Sequence, residues 1–137
     1  MRTRDQALAA EVFSQVSDIA GLSETDRNKY GSMAHKLPIL IRTAGLVQAL
    51  AFVDARGERM QHMLLDHIAQ VAGFDKRSDL LAKSRSAALN EYMGLTQQVM
   101  NALLWYKRFA QSVLGVEQGT EAEEALEEGG SYDTVSP

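Results

Sequence analysis

The residues best able to do chemistry in this sequence form basic clusters rather than a catalytic set. Trp105, Tyr106, Lys107, Arg108 and Phe109 place aromatic and cationic side chains at five consecutive positions. On a helix, Tyr106 and Phe109 fall on the inward stripe, so Lys107 and Arg108 project from its flanks, where phosphates could reach them. Cations near a helix C-terminus also stabilise the helix through its dipole, and this simpler interpretation stays open.

Trp105 lies off the inward stripe of the same predicted helix. An aromatic side chain in that position could stack on a nucleic-acid base or anchor a protein partner. Burial against another helix of the same domain is an equal alternative. We treat Trp105 as a candidate partner-facing residue.

A second basic cluster lies earlier in the chain. Lys29 and Lys36 are seven residues apart, which places them on one helical stripe. The same spacing separates His35 from Arg42. The cluster is a second group of cations, and its functional interpretation is contact with phosphate groups.

Arg42 interrupts an otherwise apolar segment, where a charge is costly unless it is paired or lies at an opening. One interpretation is an internal ion pair with Asp54 or Glu91. The other is a contact with a phosphate group. The sequence favours neither.

Recognisable catalytic and metal-binding motifs are missing. The absence of Cys removes disulfides, thiolate metal sites and a cysteine nucleophile, and no glycine-rich phosphate loop or His-Glu-x-x-His motif occurs. His62 and Asp66 have metal-ligand spacing, but they belong to a polar helix stripe with Glu58 and Gln70, so a solvated face is expected. His67 falls at the boundary of the core. We predict neither a metal nor a cofactor.

One enzymatic alternative is a ribonuclease of the HEPN class, in which an Arg and a His separated by four to six residues act on RNA. Arg56 and His62 have five residues between them. The Arg would orient the scissile phosphate and the His would act as acid or base. Against this, Gly57 is predicted to end a helix between them.

Hydrophobic periodicity predicts helices along most of the chain and no strand. Pro38 is expected to break or kink the chain, because proline disfavours helical geometry in the residue before it. The continuity of the last two helices is left open, because residues 84–86 form only a weak break. The predicted helices are Thr3–Ala20, a second helix capped by Ser23 and ending near Leu37, Ile39–Arg56, Glu58–Ala72, a short helix capped by Ser78 and ending at Lys83, and Ser86–Leu114.

The helix patterns also predict which faces are buried. The segment Ile39–Arg56 is apolar nearly all round, which is typical of a central helix wrapped by others. The long last helix should be the spine of the domain, with its inward stripe at Leu89, Tyr92, Met93, Thr96, Val99, Leu103, Tyr106, Ala110 and Val113. The predicted fold is a compact all-α bundle of five to six helices with a long C-terminal helix.

Charge divides the chain into a basic body and an acidic tail. Residues 116–137 carry seven acidic and no basic residues, whereas residues 1–115 carry 14 basic and 11 acidic ones, a net charge of +3. The tail has too few apolar side chains to offset the entropy of ordering. We therefore predict a helical domain over residues 1–116 and a disordered acidic tail over residues 117–137.

The sequence shows no sign of export or of a membrane span. No apolar run follows the charged residues at the N-terminus, so no signal peptide is predicted. No stretch of about 18 residues is both apolar and uncharged, so no transmembrane helix is predicted. Together with the absence of Cys, this favours a cytoplasmic protein.

Two stretches resemble a known family. They are Lys29-Tyr-Gly-Ser-Met-Ala-His-Lys-Leu-Pro38, which runs into an apolar helix through Leu50, and Glu91–Gly115, which ends in the aromatic and basic run. Both look like the small α-helical subunit of the type III-B CRISPR–Cas effector, the Cmr complex. The resemblance covers about residues 5–116.

The resemblance implies a non-catalytic subunit in antiviral defence. In such complexes several copies stack as a filament beside the backbone subunits that carry the guide RNA, and they line the channel for the target RNA. The implied partners are the backbone and large subunits, further copies of the chain, and single-stranded target RNA or its duplex with the guide. By position, Lys36, Arg42, Lys107 and Arg108 become candidates for a target-facing basic surface, and Lys29 lies beside them.

The acidic tail departs from the family pattern and leaves a different class of function open. The chain could be a generic helical interaction module whose basic body binds an acidic protein and whose tail is autoinhibitory. In that case, removal of residues 117–137 would raise affinity for a protein partner, and no RNA would be present in the assembly.

Overall fold

The predicted all-α bundle with a long last helix is confirmed. A computed structural model describes residues 2–118, and all regular structure in that part of the chain is helical. No helix there combines the length and apolar character that a membrane span requires. The predicted acidic tail lies outside the described residues from residue 119 onward. The helices are α1 (Arg4–Ala20), α2 (Glu24–Ala44), α3 (Leu46–Arg56), α4 (Arg59–Val71), α5 (Arg77–Ser86) and α6 (Leu89–Ser112).

Side-chain caps set the starts of the first two helices. The Thr3 hydroxyl accepts from the backbone N–H of Gln6, whose side chain accepts from the Thr3 N–H in return, which forms a capping box. Ser23 caps α2 by accepting from the N–H of Asp26 at 3.1 Å, as the sequence predicts.

The predicted break at Pro38 is wrong. The helix α2 continues through Pro38 and ends at Gly45, whose φ of 87° lies in a region that favours glycine. Proline removes one helical hydrogen bond, but Leu37, Pro38 and Ile41 are all buried against the core. That burial keeps the segment helical. The helix α2 therefore ends at Gly45, seven residues after Pro38.

The helices α2 and α6 pack against each other in antiparallel directions. Near the start of α6, the Tyr92 hydroxyl accepts from the backbone N–H of Val47, just beyond the end of α2. Beyond the end of α6, Val116 packs on Gly31 in the first half of α2. The α6 helix also packs along α1, and most of its buried residues lie in its later part.

Two predictions about buried faces are wrong. Leu89 and Met93 are 71% and 60% exposed, because the first turns of α6 extend beyond the helices that cover its later part. The segment predicted to be apolar all round is not fully wrapped either. Ile39, on α2, is 41% exposed, and Phe52, on α3, is 44% exposed and lies beneath the guanidinium of Arg56.

The boundary of α5 also differs from its prediction. This helix begins at Arg77 and runs to Ser86, so Ser78 lies inside it rather than capping it. The Arg77 N–H donates to Asp66 at 2.9 Å, and the guanidinium of Arg77 reaches both Asp66 and Asp54 at 3.0 Å. These contacts fix the start of α5. Extended backbone at residues 87 and 88 then separates α5 from α6.

The C-terminal end of the bundle is closed by Val116, which is 2% exposed. Its N–H donates to the carbonyl of Ala110 at 2.9 Å, and its carbonyl accepts from His35 Nε2 at 2.8 Å. A Cβ at Gly31 would lie 2.7 Å from Val116 Cβ. Only glycine at position 31 therefore leaves room for Val116 to pack on α2.

We expect Gly31→Ala to destabilise the protein, because the added methyl group must displace Val116. Overpacking of this kind costs about 1–3 kcal/mol. Gly94→Ala is the matched control, since it is also helical and an added Cβ meets nothing within 4 Å. It should gain about 0.8–1 kcal/mol from helix propensity. Urea unfolding measures both changes, and equal stabilities of the two variants would contradict the packing argument.

Candidate nucleic-acid interface

The aromatic and basic run near the end of α6 forms an ordered stack. The rings of Trp105 and Phe109 lie 5.7 Å apart at 26°, and Phe13 from α1 meets Phe109 edge-on at 5.3 Å. The Arg108 guanidinium lies 5.4 Å from the centroid of Trp105. Arg108 is exposed and Lys107 half-buried, so both cations border solvent as predicted.

Trp105 is held within its own chain. Its indole N–H donates to Asp5 at 3.2 Å, and its ring is stacked with Phe109. The neighbouring Leu104, which is 53% exposed, is the more accessible apolar side chain on this flank. Sequence analysis missed Leu104, although its position one residue after the inward Leu103 already turns it about 100° away from the core.

A groove of about 1090 Å³ runs between α1 and α6 beside this stack. Leu8 and Val71 contribute apolar wall, and Leu104 lies at its side. The groove is also lined by the cations Arg4 and Arg108 and by the acidic Asp5 and Glu11. Sequence analysis missed Arg4 as well, because only the tertiary packing of α1 on α6 makes it line the same groove as Arg108.

The proposed internal ion pair of Arg42 does not form. Asp54 binds Arg77, and Glu91 accepts from Lys83 at 3.2 Å, a hydrogen bond that lowers the pKa of Glu91. Arg42 is exposed, and within residues 2–118 its guanidinium has no carboxylate partner. Of the two interpretations of Arg42, the internal ion pair is therefore wrong, and the contact with a phosphate group stays a prediction.

The remaining residues of the second basic cluster differ in their environments. Lys29 forms an ion pair with Glu58, so part of its charge is neutralised within the chain. Lys36 is half-buried. His35 is fully buried rather than on the basic face, because Val116 covers it and its Nε2 donates to the Val116 carbonyl.

Arg42 lies near the opposite end of α6 from Lys107 and Arg108. Arg42 stands three residues before Gly45, in the part of α2 that meets Tyr92. Lys107 follows Tyr92 by 15 residues, which is about 22 Å along a helix. Arg42 therefore belongs to a basic patch separate from that of Lys107 and Arg108.

The candidate catalytic and metal pairs are not assembled. Arg56 lies over Phe52, whereas His62 Nε2 donates to the backbone carbonyl of Asp54 at 2.9 Å. Gly57 ends α3 between them, as predicted. Asp66, the other half of the metal-like pair, is occupied by Arg77. Within the described part of the chain, no group of three His, Asp or Glu side chains could hold a metal ion.

A polar network in the core joins four helices. The Tyr30 hydroxyl is hydrogen-bonded to His67 Nδ1 at 2.7 Å, and the Tyr106 hydroxyl donates to the amide oxygen of Gln15. Gln15 also donates to the backbone carbonyl of His67 at 3.2 Å. Burial raises the pKa of both tyrosines above their ordinary range and lowers the pKa of His67, although Asp66 and Asp18 oppose the latter shift. His67 is half-buried, as the sequence predicts.

Comparison with known proteins identifies relatives of this bundle. A family model described as CRISPR-associated protein (Cas_Cmr5) matches residues 4–113. The CRISPR system Cmr subunit Cmr5 of Thermus thermophilus is 43% identical over 114 residues, which are 83% of this chain and 98% of that protein. The crystal structure of a CRISPR-associated Cmr5 family protein from the same organism matches with a TM-score of 0.77 and 43% identity, covering 82% of this chain and 98% of that one.

The fold and these matches define the class as a small all-helical CRISPR-associated protein. More particularly, the chain belongs to the Cmr5 family. The resemblance recognised from the two motif-bearing stretches is confirmed.

We expect His67 to make folding stability depend on pH. Its pKa is lowered in the folded state, so below its ordinary pKa of about 6.5 the unfolded chain binds a proton that the folded chain does not. Stability should therefore fall as the pH drops from 7.5 through this range. Urea midpoints at pH 7.5 and 5.5 measure the effect, and His67→Asn should reduce the difference between them. An identical difference in both proteins would contradict this assignment.

Proposed function

We propose that this chain is a non-catalytic small subunit of a type III-B CRISPR effector, acting in the cytoplasm in antiviral defence. Its membership of the Cmr5 family supports assembly with other Cmr subunits, because the 43% identical relative is named as a Cmr subunit. The observation that carries the RNA-binding part of the proposal is the pair of basic patches, one at Arg42 and one at Lys107 and Arg108.

The mechanism would be electrostatic and geometric. Lysine and arginine side chains hold phosphates without reading bases, which suits a subunit that must accept any target sequence. One copy would make few phosphate contacts, so it would bind weakly alone. Copies stacked in a filament would repeat both patches along the target strand and gain affinity through effective concentration.

The exposed apolar side chains support stacking between copies. A filament uses head-to-tail contacts, which require two different surfaces on each copy. The first turns of α6 present Leu89 and Met93, whereas Leu104 lies beside the groove at the later part of the same helix. Leu89 and Met93 are separated from Leu104 along α6, so they could belong to the two different surfaces that a head-to-tail contact needs.

The first experiment is a pull-down of the tagged chain from cells expressing the host's whole CRISPR locus. Protein and RNA in the eluate are analysed together. A multi-subunit particle containing a guide RNA of defined length is the expected result. Recovery of the chain with one acidic protein and no RNA would instead favour the interaction-module alternative.

The basic patch on α6 is tested with Lys107→Glu and Arg108→Glu combined. Each lost phosphate contact lowers the salt slope of single-strand binding by about 0.7. The variant complex should therefore bind target RNA more weakly, with a slope lower by roughly 1.4 for each copy that engages the strand. Filter binding at several salt concentrations measures both quantities.

The matched control is Lys76→Glu with Arg85→Glu. Both residues are exposed, and they lie at the two ends of α5, outside either patch. This control makes the same change in net charge, so it separates a local contact from a general electrostatic effect. Equal losses in the two double variants would remove Lys107 and Arg108 from the interface.

A further inference from the structure

The acidic segment of residues 117–137 begins on α2, at the anchored Val116. Both backbone groups of Val116 are bonded within the bundle, and its side chain fills the space above Gly31. Glu117 follows directly. Glu117, the first carboxylate of the segment, is therefore held next to the face of α2 that carries His35.

That face of α2 also carries Arg42. His35 and Arg42 are seven residues apart, so they lie on the same side of the helix and about 10.5 Å apart along its axis. Arg42 is exposed, and no carboxylate among residues 2–118 pairs with it. Ile39 lies between them on this side and is 41% exposed.

The segment carries the complementary charge and can reach this cation. Its acidic residues are not balanced by any Lys or Arg of its own. Glu121 is five residues beyond Val116, and five extended residues span up to about 17 Å, which matches the axial distance of about 16.5 Å from Gly31, where Val116 packs, to Arg42. Chain length therefore allows five glutamates of the segment to reach Arg42: Glu121, Glu123, Glu124, Glu127 and Glu128.

We propose that the acidic segment of residues 117–137 binds the α2 face around Arg42 in its own chain and competes there with RNA phosphates. The competition rests on the proposed function, whereas the intrachain contact does not. The match to the Cmr5 family model ends at residue 113, so the segment lies beyond the matched region. Arg108 is a weaker site for it, because its guanidinium already lies over Trp105.

The contact can be tested in the full chain by paramagnetic NMR. The protein has no Cys, so Ala125→Cys provides a single site for a spin label within the acidic segment. At low salt, amide signals of residues 39–43 should lose most of their intensity, and they should recover at high salt. A loss centred on residues 104–108, or spread evenly over the bundle, would overturn the proposal.

Three variants of the labelled chain separate charge pairing from mere closeness to Val116. Replacing the five glutamates from Glu121 to Glu128 by glutamine keeps the tether but removes the charge, and it should restore the signals of residues 39–43. Arg42→Gln should restore them as well. Arg108→Gln, the matched cation control, should not. Unchanged broadening in the glutamine variant would show tethering alone and overturn the contact.

Competition is tested in the assembled complex. Complexes carrying the five glutamines should bind target RNA several-fold more tightly than those with the natural segment, and the difference should shrink at high salt. Equal affinities would overturn the competition. If neither complex binds target RNA, the proposed function fails and the competition with it, while the spin-label result still decides the intrachain contact.

Discussion

The burial of two tyrosines, Tyr30 on α2 and Tyr106 on α6, is the constraint on which the bundle depends. A buried hydroxyl without a partner costs about 1–3 kcal/mol, so each needs an acceptor at one position. Those acceptors come from α4 and α1, through His67 and Gln15, and Gln15 also binds the backbone of His67. Apolar packing alone would tolerate small slips between helices. This network does not, and it therefore fixes the register of four helices.

The register decides where the cations lie. With α6 running antiparallel to α2, Arg42 is brought to the early part of α6, while Lys107 and Arg108 stay in its last turns. Ion pairs then neutralise several of the other charged side chains. Arg77 binds both Asp54 and Asp66, which leaves Arg42 without the internal partner that the sequence allowed. The basic patches are thus a consequence of packing and of how the carboxylates are shared.

Much of the fold was predictable because it rests on local rules. The cap at Ser23, the stop at Gly57 and the buried stripe of the later part of α6 each follow from neighbouring residues. The failures depend on distant ones. The residues next to Pro38 do not indicate that burial keeps α2 helical there. The residues next to Leu89 do not indicate that it is exposed. The candidate cations were also identified by type and spacing, but the separation of Arg42 from Lys107 and the shared groove of Arg4 and Arg108 depend on tertiary packing.

Net charge alone gives a misleading picture of this protein. The chain carries −4 overall, although residues 1–115 carry +3, because the C-terminal segment contributes −7. At physiological ionic strength, charges interact over about 8 Å. A phosphate near Arg42 therefore responds to the carboxylates within that distance rather than to the total charge. If the acidic segment binds the α2 face as proposed, it would decide whether each copy attracts or repels a strand. In the proposed stacked assembly that local effect would be repeated in every copy, so a small change per copy would become a large change in affinity.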